Sequence, residues 1–161
     1  MEDTMTSVIA SFDLQGKYID TEALQKLSHV FQIDDGKVRV AALIRDHAAT
    51  IVKEAVAKSL AGSNSSHSGP VQTSQRYAAC IRDLDFYLRY STYAMLASDK
   101  GILDERVLNG LKETYLSLGV SLTATVEAIQ AMKEVTLDLV ESEGSSCDIG
   151  HYFDHLCAGL S

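Results

Sequence analysis

A thiol, a carboxylate, a guanidinium and a phenol share one side of a helix predicted over residues 72–98. At about 100° per residue, Arg76, Cys80, Asp83 and Tyr87 fall within one narrow stripe. The neighbouring stripe has apolar residues at helical spacing and predicts ordinary burial: Tyr77, Ile81, Leu84, Leu88 and Met95. A helix that packs through one stripe and presents polar groups on the next is suited to holding a large ligand.

Residue spacing leaves two interpretations of this polar stripe open. A lone cysteine in a helix is most often a small buried hydrophobic residue, but Cys80 lies in line with Arg76 and Asp83. Asp83 could equally form a surface salt bridge with Arg76 or Arg82, which would contribute little to stability.

A second set of candidates lies near the C-terminus. His151 and His155 are four positions apart, a spacing that can hold a metal ion on a helix, but spacing fixes no third ligand and Phe153 marks this helix as packing. Cys147 and Cys157 are too far apart along a helix to pair. No Ser–His–Asp order, phosphate-binding glycine pattern or CxxC is present, so we predict a protein that is not an enzyme.

The composition indicates one globular domain over residues 1–161, with 46% hydrophobic and 22% charged residues. A net charge of −8 argues against nucleic acid as a partner. No apolar run approaches the ~20 residues that cross a bilayer, and no secretory signal is visible at the start. Three cysteines, an odd number, indicate a reducing compartment rather than a disulfide framework.

The elements that would position the polar stripe are all helical. Two short amphipathic helices are predicted over residues 3–14 and from Asp20 or Thr21 to Phe31, so residues 1–33 form a hairpin. The pattern allows this pair either to lie on its own core or to project towards another chain. A break follows at residues 34–36, and residues 62–70 form either a surface loop or a cover over a ligand. The remaining predicted helices span residues 37–60, 72–98, 102–118, 121–141 and 147–159. The first of these is expected to bend or divide at Arg45–Ala48, and Gly101 is the predicted stop of the helix over 72–98.

Several long segments, in order, resemble one known family. They are TSVIASFDLQGKYIDTEAL, AATIVKEAVAKSL, RYAACIRDLDFYLRYSTYAMLA, GILDERVLNGLKETYLSLGV and ATVEAIQAMKEVTLDLV. Together they resemble the phycobiliproteins, in particular the β-type chains of allophycocyanin, over nearly the whole chain. The resemblance implies an all-α, globin-like phycobiliprotein helical bundle, with the N-terminal pair projecting for subunit association.

The resemblance also implies a pigment site on the central helix. Phycocyanobilin, a linear tetrapyrrole, would be attached to Cys80 by a thioether, and Asp83 would accept hydrogen bonds from its inner pyrrole nitrogens. Arg76 and Arg82 would bind its propionates, although Arg82 lies about 200° around the helix from Cys80. The candidates for pocket walls are Tyr87, Tyr90 and Tyr115.

The partners follow from the same resemblance. Asp3, Asp13, Arg89 and Tyr93 would join the N-terminal pair of one subunit to its neighbour. The neighbour would be an allophycocyanin α-type subunit, in a heterodimer that closes into rings with phycobilisome core and linker proteins. Such an antenna lies peripherally on the thylakoid membrane, absorbs red light and passes excitation to photosystem chlorophyll. The alternative function, a globin-like sensor or haem protein, needs a pocket histidine, and neither His29 nor His47 lies on the central helix.

Two departures from the β-type pattern adjoin the polar stripe. Gln75 stands where these chains usually have a second arginine, and the segment GPVQTS lacks their usual asparagine, in a loop one residue shorter. We therefore expect a specialised, red-shifted β-type chain, which the absorption maximum in a matched assembly state would test.

Overall fold

The computed structural model describes residues 2–62 and 70–161, with side chains described for 5–60 and 81–161, and these residues hold no β-strand. The all-α prediction is therefore confirmed. The α-helices are α1 (Glu2–Leu14), α2 (Thr21–Phe31), α3 (Asp35–Gly62), α4 (Pro70–Ala97), α5 (Gly101–Leu103), α6 (Leu111–Leu118), α7 (Leu122–Ser142) and α8 (Ile149–Leu160), and a π-helical turn, Asp104–Leu108, follows α5.

The N-terminal pair lies on the body of its own chain. Met5 and Ile9 of α1 are 8% and 6% exposed, and Leu24 and Leu27 of α2 are 2% and 4% exposed. Of the two arrangements that the sequence allowed, packing on its own core is the one observed in this single chain. The physical reason is that this apolar face finds cover against α3 and α4, where Arg45 Nη1 also donates to the Ile19 carbonyl at 3.3 Å.

Helix α3 differs from its prediction in two ways. It begins at Asp35, because the break falls at residues 32–34, where Gln32 takes a left-handed φ of 52°. It also runs through Arg45–Ala48 without division, although the sequence predicted a bend or two helices there. The apolar pattern slips at this point because the Arg45 guanidinium lies beneath the N-terminal pair and pairs with Asp46 at 3.0 Å.

Helix α4 ends earlier than predicted. Ser98 takes a left-handed φ of 53°, and its amide donates to the Met95 carbonyl at 3.1 Å. Gly101 was predicted as the stop, but it begins α5 instead, because the Asp99 side chain accepts from its amide at 2.8 Å. Gly119, with a φ of 71°, ends α6 in the left-handed conformation that glycine adopts without strain.

The core is built on the packing of α3 against α4 and α7, with α8 lying against α7 and α4. Its largest fully buried side chains include Tyr87, Leu88, Ile44, Met132 and Phe153. A salt bridge from Lys133 to Asp154 at 2.8 Å links α7 to α8 across the surface. Tight packing on three sides holds α4 in place, so its remaining face is presented from a rigid support.

Within the part of the chain that the structure describes, no helix combines the length and apolar character that a membrane crossing needs.

Candidate functional site

The candidate site lies on α4, which places Cys80 and Asp83 three residues apart and therefore on one face. The side chains of Arg76 and Cys80 lie outside the described side chains, as does that of Asp3 on α1. The predicted loop at 62–70 also lies outside the described residues, apart from its ends. The geometry of the site is therefore built from Asp83 and the residues that follow it.

A chain of hydroxyl groups supports the Asp83 carboxylate. Tyr115 of α6 donates from its hydroxyl to Asp83 Oδ2 at 3.0 Å, and the hydroxyls of Tyr115 and Tyr87 are in hydrogen-bonding contact. Both tyrosines are buried, with exposed fractions of 7% and 1%. Asp83 is thus a half-exposed carboxylate with one oxygen directed into the protein.

Arg82 reaches towards the same carboxylate from the solvent side. Its Nε lies 3.9 Å from Asp83 Oδ1, and the Arg82 side chain is 79% exposed. Because Arg82 and Asp83 are adjacent in the sequence, this contact leaves the separation of about 200° between Arg82 and Cys80 as the helical spacing predicted it. An exposed pair at this distance contributes little to stability, so the guanidinium can move to another anion.

Tyr90 belongs to a different contact. Its hydroxyl donates to Asp13 Oδ2 at 2.6 Å, and Arg89 Nη2 donates to Asp13 Oδ1 at 3.0 Å. Tyr93 donates from its hydroxyl to the Lys17 carbonyl at 2.5 Å. The predicted interface residues Asp13, Arg89 and Tyr93 are thus brought together, but within one chain, at the contact between the N-terminal pair and α4.

Burial is the main cause of the shifted pKa values at this contact. It raises the pKa of Tyr90 to about 12, with the hydrogen bond to Asp13 as the next cause. Burial also raises the pKa of Tyr18, and the charge of Asp85 adds to that increase. The pKa of Asp85 is itself raised by burial, and the nearby Arg89 guanidinium opposes this increase.

Sequence reasoning missed the two contacts that organise α4. The bond from Tyr115 to Asp83 joins residues 32 positions apart, and the bond from Tyr90 to Asp13 joins residues 77 apart. No helical spacing relates such distant positions. The one available signal was the excess of tyrosine on α4, which indicated aromatic packing without indicating hydroxyl partners.

The C-terminal candidates take part in packing and surface ion pairs. His155 Nε2 lies 2.7 Å from Asp104 Oδ1, and Asp154 pairs with Lys133. The described side chains hold no group of three or more histidine, cysteine, aspartate and glutamate residues placed to bind a metal ion. Cys147 and Cys157 are free thiols, and burial raises the pKa of both.

His29 and His47 were the two histidines weighed for the alternative haem function, and neither lies on the central helix. The surroundings of His47 bear on that alternative. His47 is exposed on α3, and its Nδ1 lies 2.9 Å from the Leu43 carbonyl. It lines an open groove of about 300 Å³ between α3 and α7, together with Glu54, Asp138 and Ser142. Because this groove lies at the surface and not in the core, the haem alternative gains no support.

Comparison with known proteins places these residues in a family. A family model described as "Phycobilisome protein" matches residues 7–160. The chain is 60% identical over 162 residues to the allophycocyanin beta chain of Mastigocladus laminosus, and 61% identical to that of Anabaena cylindrica. It is 57% identical to the allophycocyanin beta chain of Cyanidium caldarium. Each of these matches covers 100% of this chain and 100% of the relative.

Proposed function

Because this chain belongs to the phycobilisome protein family and is a light-harvesting, bilin-binding protein, we propose that it holds one phycocyanobilin on α4. The pigment is linked to the Cys80 sulfur by a thioether. The observation that carries this proposal is the half-exposed Asp83 carboxylate, three residues after Cys80 and held from behind by Tyr115.

The side chains around Asp83 fit a long, flat tetrapyrrole. Such a pigment offers inner N–H donors and two propionate anions. Asp83 Oδ2 is occupied by Tyr115, whereas Oδ1 has, among the described side chains, the long contact with Arg82 and can accept from the inner nitrogens. The exposed Arg82 guanidinium matches a propionate through two parallel hydrogen bonds.

The pigment supplies an extended conjugated system that absorbs red light. The chain's own residues keep that system extended: Cys80 fixes one end, and Asp83 stabilises the protonated ring nitrogens. Arg82, and Arg76 by the resemblance, hold the propionates. Tyr87 and Tyr115 lie behind Asp83 as a buried aromatic wall. Tyr90, the third candidate for the pocket wall by the resemblance, lies instead at the contact with the N-terminal pair, where its hydroxyl donates to Asp13.

The chain's partner in this proposal is an allophycocyanin α-type subunit, in heterodimers that close into rings with core and linker proteins. The contact between Asp13, Arg89 and Tyr90 supports it, because an N-terminal pair that can dock on its own α4 carries a surface suited to a homologous α4. By the resemblance, Asp3 and Tyr93 would extend the same interface. The assembly lies peripherally on the thylakoid membrane and passes its excitation to photosystem chlorophyll.

The test is covalent attachment in cells that make the pigment. We expect wild-type protein and a Cys157→Ser control to carry a bilin that fluoresces with zinc in a denaturing gel. Cys80→Ser should lose that signal while keeping its helical circular dichroism, because no thiol remains at the attachment point. A bilin on any peptide other than the one bearing Cys80, found by mass spectrometry, would contradict the proposal.

A further inference from the structure

The hydroxyls of Tyr87 and Tyr115 form a directional relay to Asp83. A tyrosine hydroxyl has a single hydrogen to donate and can also accept. Tyr115 donates its hydrogen to Asp83 Oδ2 at 3.0 Å. In the contact between the two hydroxyls, Tyr115 must then accept and Tyr87 must donate.

Burial makes this relay effective. Tyr87 is 1% exposed and Tyr115 is 7% exposed, so little water competes for their hydroxyls. In such surroundings a chain of hydrogen bonds polarises along its length and strengthens its last member. The last member here is the bond to Asp83, whose carboxylate also lies 3.9 Å from Arg82 among the side chains that the structure describes.

The relay also links two elements that each fix one tyrosine. Tyr87 lies on α4, one helical turn after Asp83, and Tyr115 lies on α6, which reaches Asp83 from outside that helix. The carboxylate is therefore anchored to a second helix and cannot rotate freely about its own side-chain bonds.

We propose that Tyr115, oriented by Tyr87, is a positioning residue that holds the Asp83 carboxylate in the single orientation a bilin requires. This inference rests on the proposed function and extends it, because it assigns the two tyrosine hydroxyls a task that aromatic walls alone do not need. Tyr115 fixes Oδ2, and Oδ1 is thereby presented to the ligand.

The decisive variants remove hydroxyls and keep rings. Tyr115→Phe, Tyr87→Phe and the double variant are compared with Tyr152→Phe, a buried tyrosine on α8 whose pKa is raised by burial and by the charges of Asp148 and Asp99. Circular dichroism and urea midpoints establish that each variant folds. Phenylalanine preserves the aromatic walls, so a purely packing role predicts little change in any variant.

The first measurement uses the unpigmented full-length chain. We expect the side-chain carboxyl ¹³C resonance of Asp83 to move in Tyr115→Phe, to move less in Tyr87→Phe, and to stay in place in Tyr152→Phe. An Asp83 resonance that is the same in Tyr115→Phe and wild type would overturn the relay, whether or not pigment binds.

The second measurement is the fluorescence quantum yield of the pigmented protein at equal bilin content. Tyr115→Phe should lower the yield several-fold, because a mobile carboxylate allows the pigment to twist. If Tyr87 influences Asp83 through Tyr115, the double variant should match Tyr115→Phe. If the losses of quantum yield in the two single variants added up in the double variant, Tyr87 and Tyr115 would act as two independent pocket walls, and the relay would be rejected. If wild-type protein carried no bilin on Cys80, the proposed function would be rejected. The relay would then be tested by the Asp83 carboxyl resonance in the unpigmented chain.

Discussion

At the scale of single residues, the hydroxyls of α4 and their partners account for the chemistry of this chain. Tyr90 and Tyr93 donate to the N-terminal pair and the residues that follow α1. Tyr115 donates to Asp83, and Tyr87 contacts the Tyr115 hydroxyl. Helical spacing predicted that Asp83 shares a face with Cys80, because that relation is local. Helical spacing could not predict the hydrogen-bond partner of each tyrosine hydroxyl, because that partner depends on how helices distant in the sequence pack.

Tyr90 makes stability depend on alkaline pH. Its pKa is raised from about 10 in the unfolded chain to about 12 in the folded chain. The folded state therefore holds the proton more strongly, and this contribution is full below pH 10 and is lost as pH rises towards 12. We expect the urea midpoint of wild type to fall across this range, and that of Tyr90→Phe to fall less steeply.

The check is a series of urea unfolding curves from pH 8 to pH 11.5. Below pH 9 the difference between the two midpoints should be independent of pH, which serves as the internal control. Tyrosine ionisation can be followed by ultraviolet absorbance in the same samples. Equal slopes for wild type and Tyr90→Phe above pH 10 would refute the assignment.

At the scale of helices, the sequence predicted which helices form and their order along the chain better than it predicted where each helix begins and ends. The sequence predicted that α2 starts at Asp20 or Thr21 and that α7 starts near Ser121. Asp20 and Ser121 are the observed caps, and each accepts a hydrogen bond from the amide three residues later, at 2.8 and 3.1 Å. These signals are local and chemically specific. The end of α4 at Ser98 carried no such signal, because a left-handed serine is set by the contacts around it.

The cap at Asp20 gives a prediction for α2. Asp20→Ala should lower the free energy of unfolding by about 1 kcal/mol, because the Ala23 amide loses its acceptor. Asp20→Asn is the matched control, since its side-chain oxygen can still accept that hydrogen bond. Urea unfolding followed by circular dichroism measures both. A loss in Asp20→Asn as large as that in Asp20→Ala would show that the charge, and not the cap, is what matters.

At the scale of the whole molecule, the N-terminal pair is held to the body by a polar contact as well as an apolar one. The amphipathic pattern of α1 and α2 predicted a buried face but could not predict what buries it. The same face suits the chain's own α4 or a homologous one. The contact at Asp13, which is 28% exposed while its partner Arg89 is 10% exposed, is therefore the point at which to probe this tether.

Asp13→Asn should destabilise the folded chain by about 1.5–3 kcal/mol, because the buried Arg89 loses the nearer of its two carboxylate partners and keeps only the longer contact with Asp85, at 3.7 Å, among the described side chains. Glu22→Gln is the control: its pair with Lys26 is at the surface, and its loss should cost less than about 0.5 kcal/mol. Denaturant unfolding of both variants gives the comparison. Similar losses in the two variants would mean that the Asp13 tether is no stronger than a surface pair.

The contacts of Lys37 join three parts of the chain that are far apart in the sequence. Its ammonium group donates to Ser98 Oγ at 2.7 Å and lies 3.8 Å from Asp148 Oδ2, so it joins the start of α3, the end of α4 and the segment before α8. On a ribosome that adds residues from the N-terminus, Lys37 and Ser98 are made before Asp148. This three-part contact can therefore form only after Asp148 and all the residues between it and Lys37 have been synthesised.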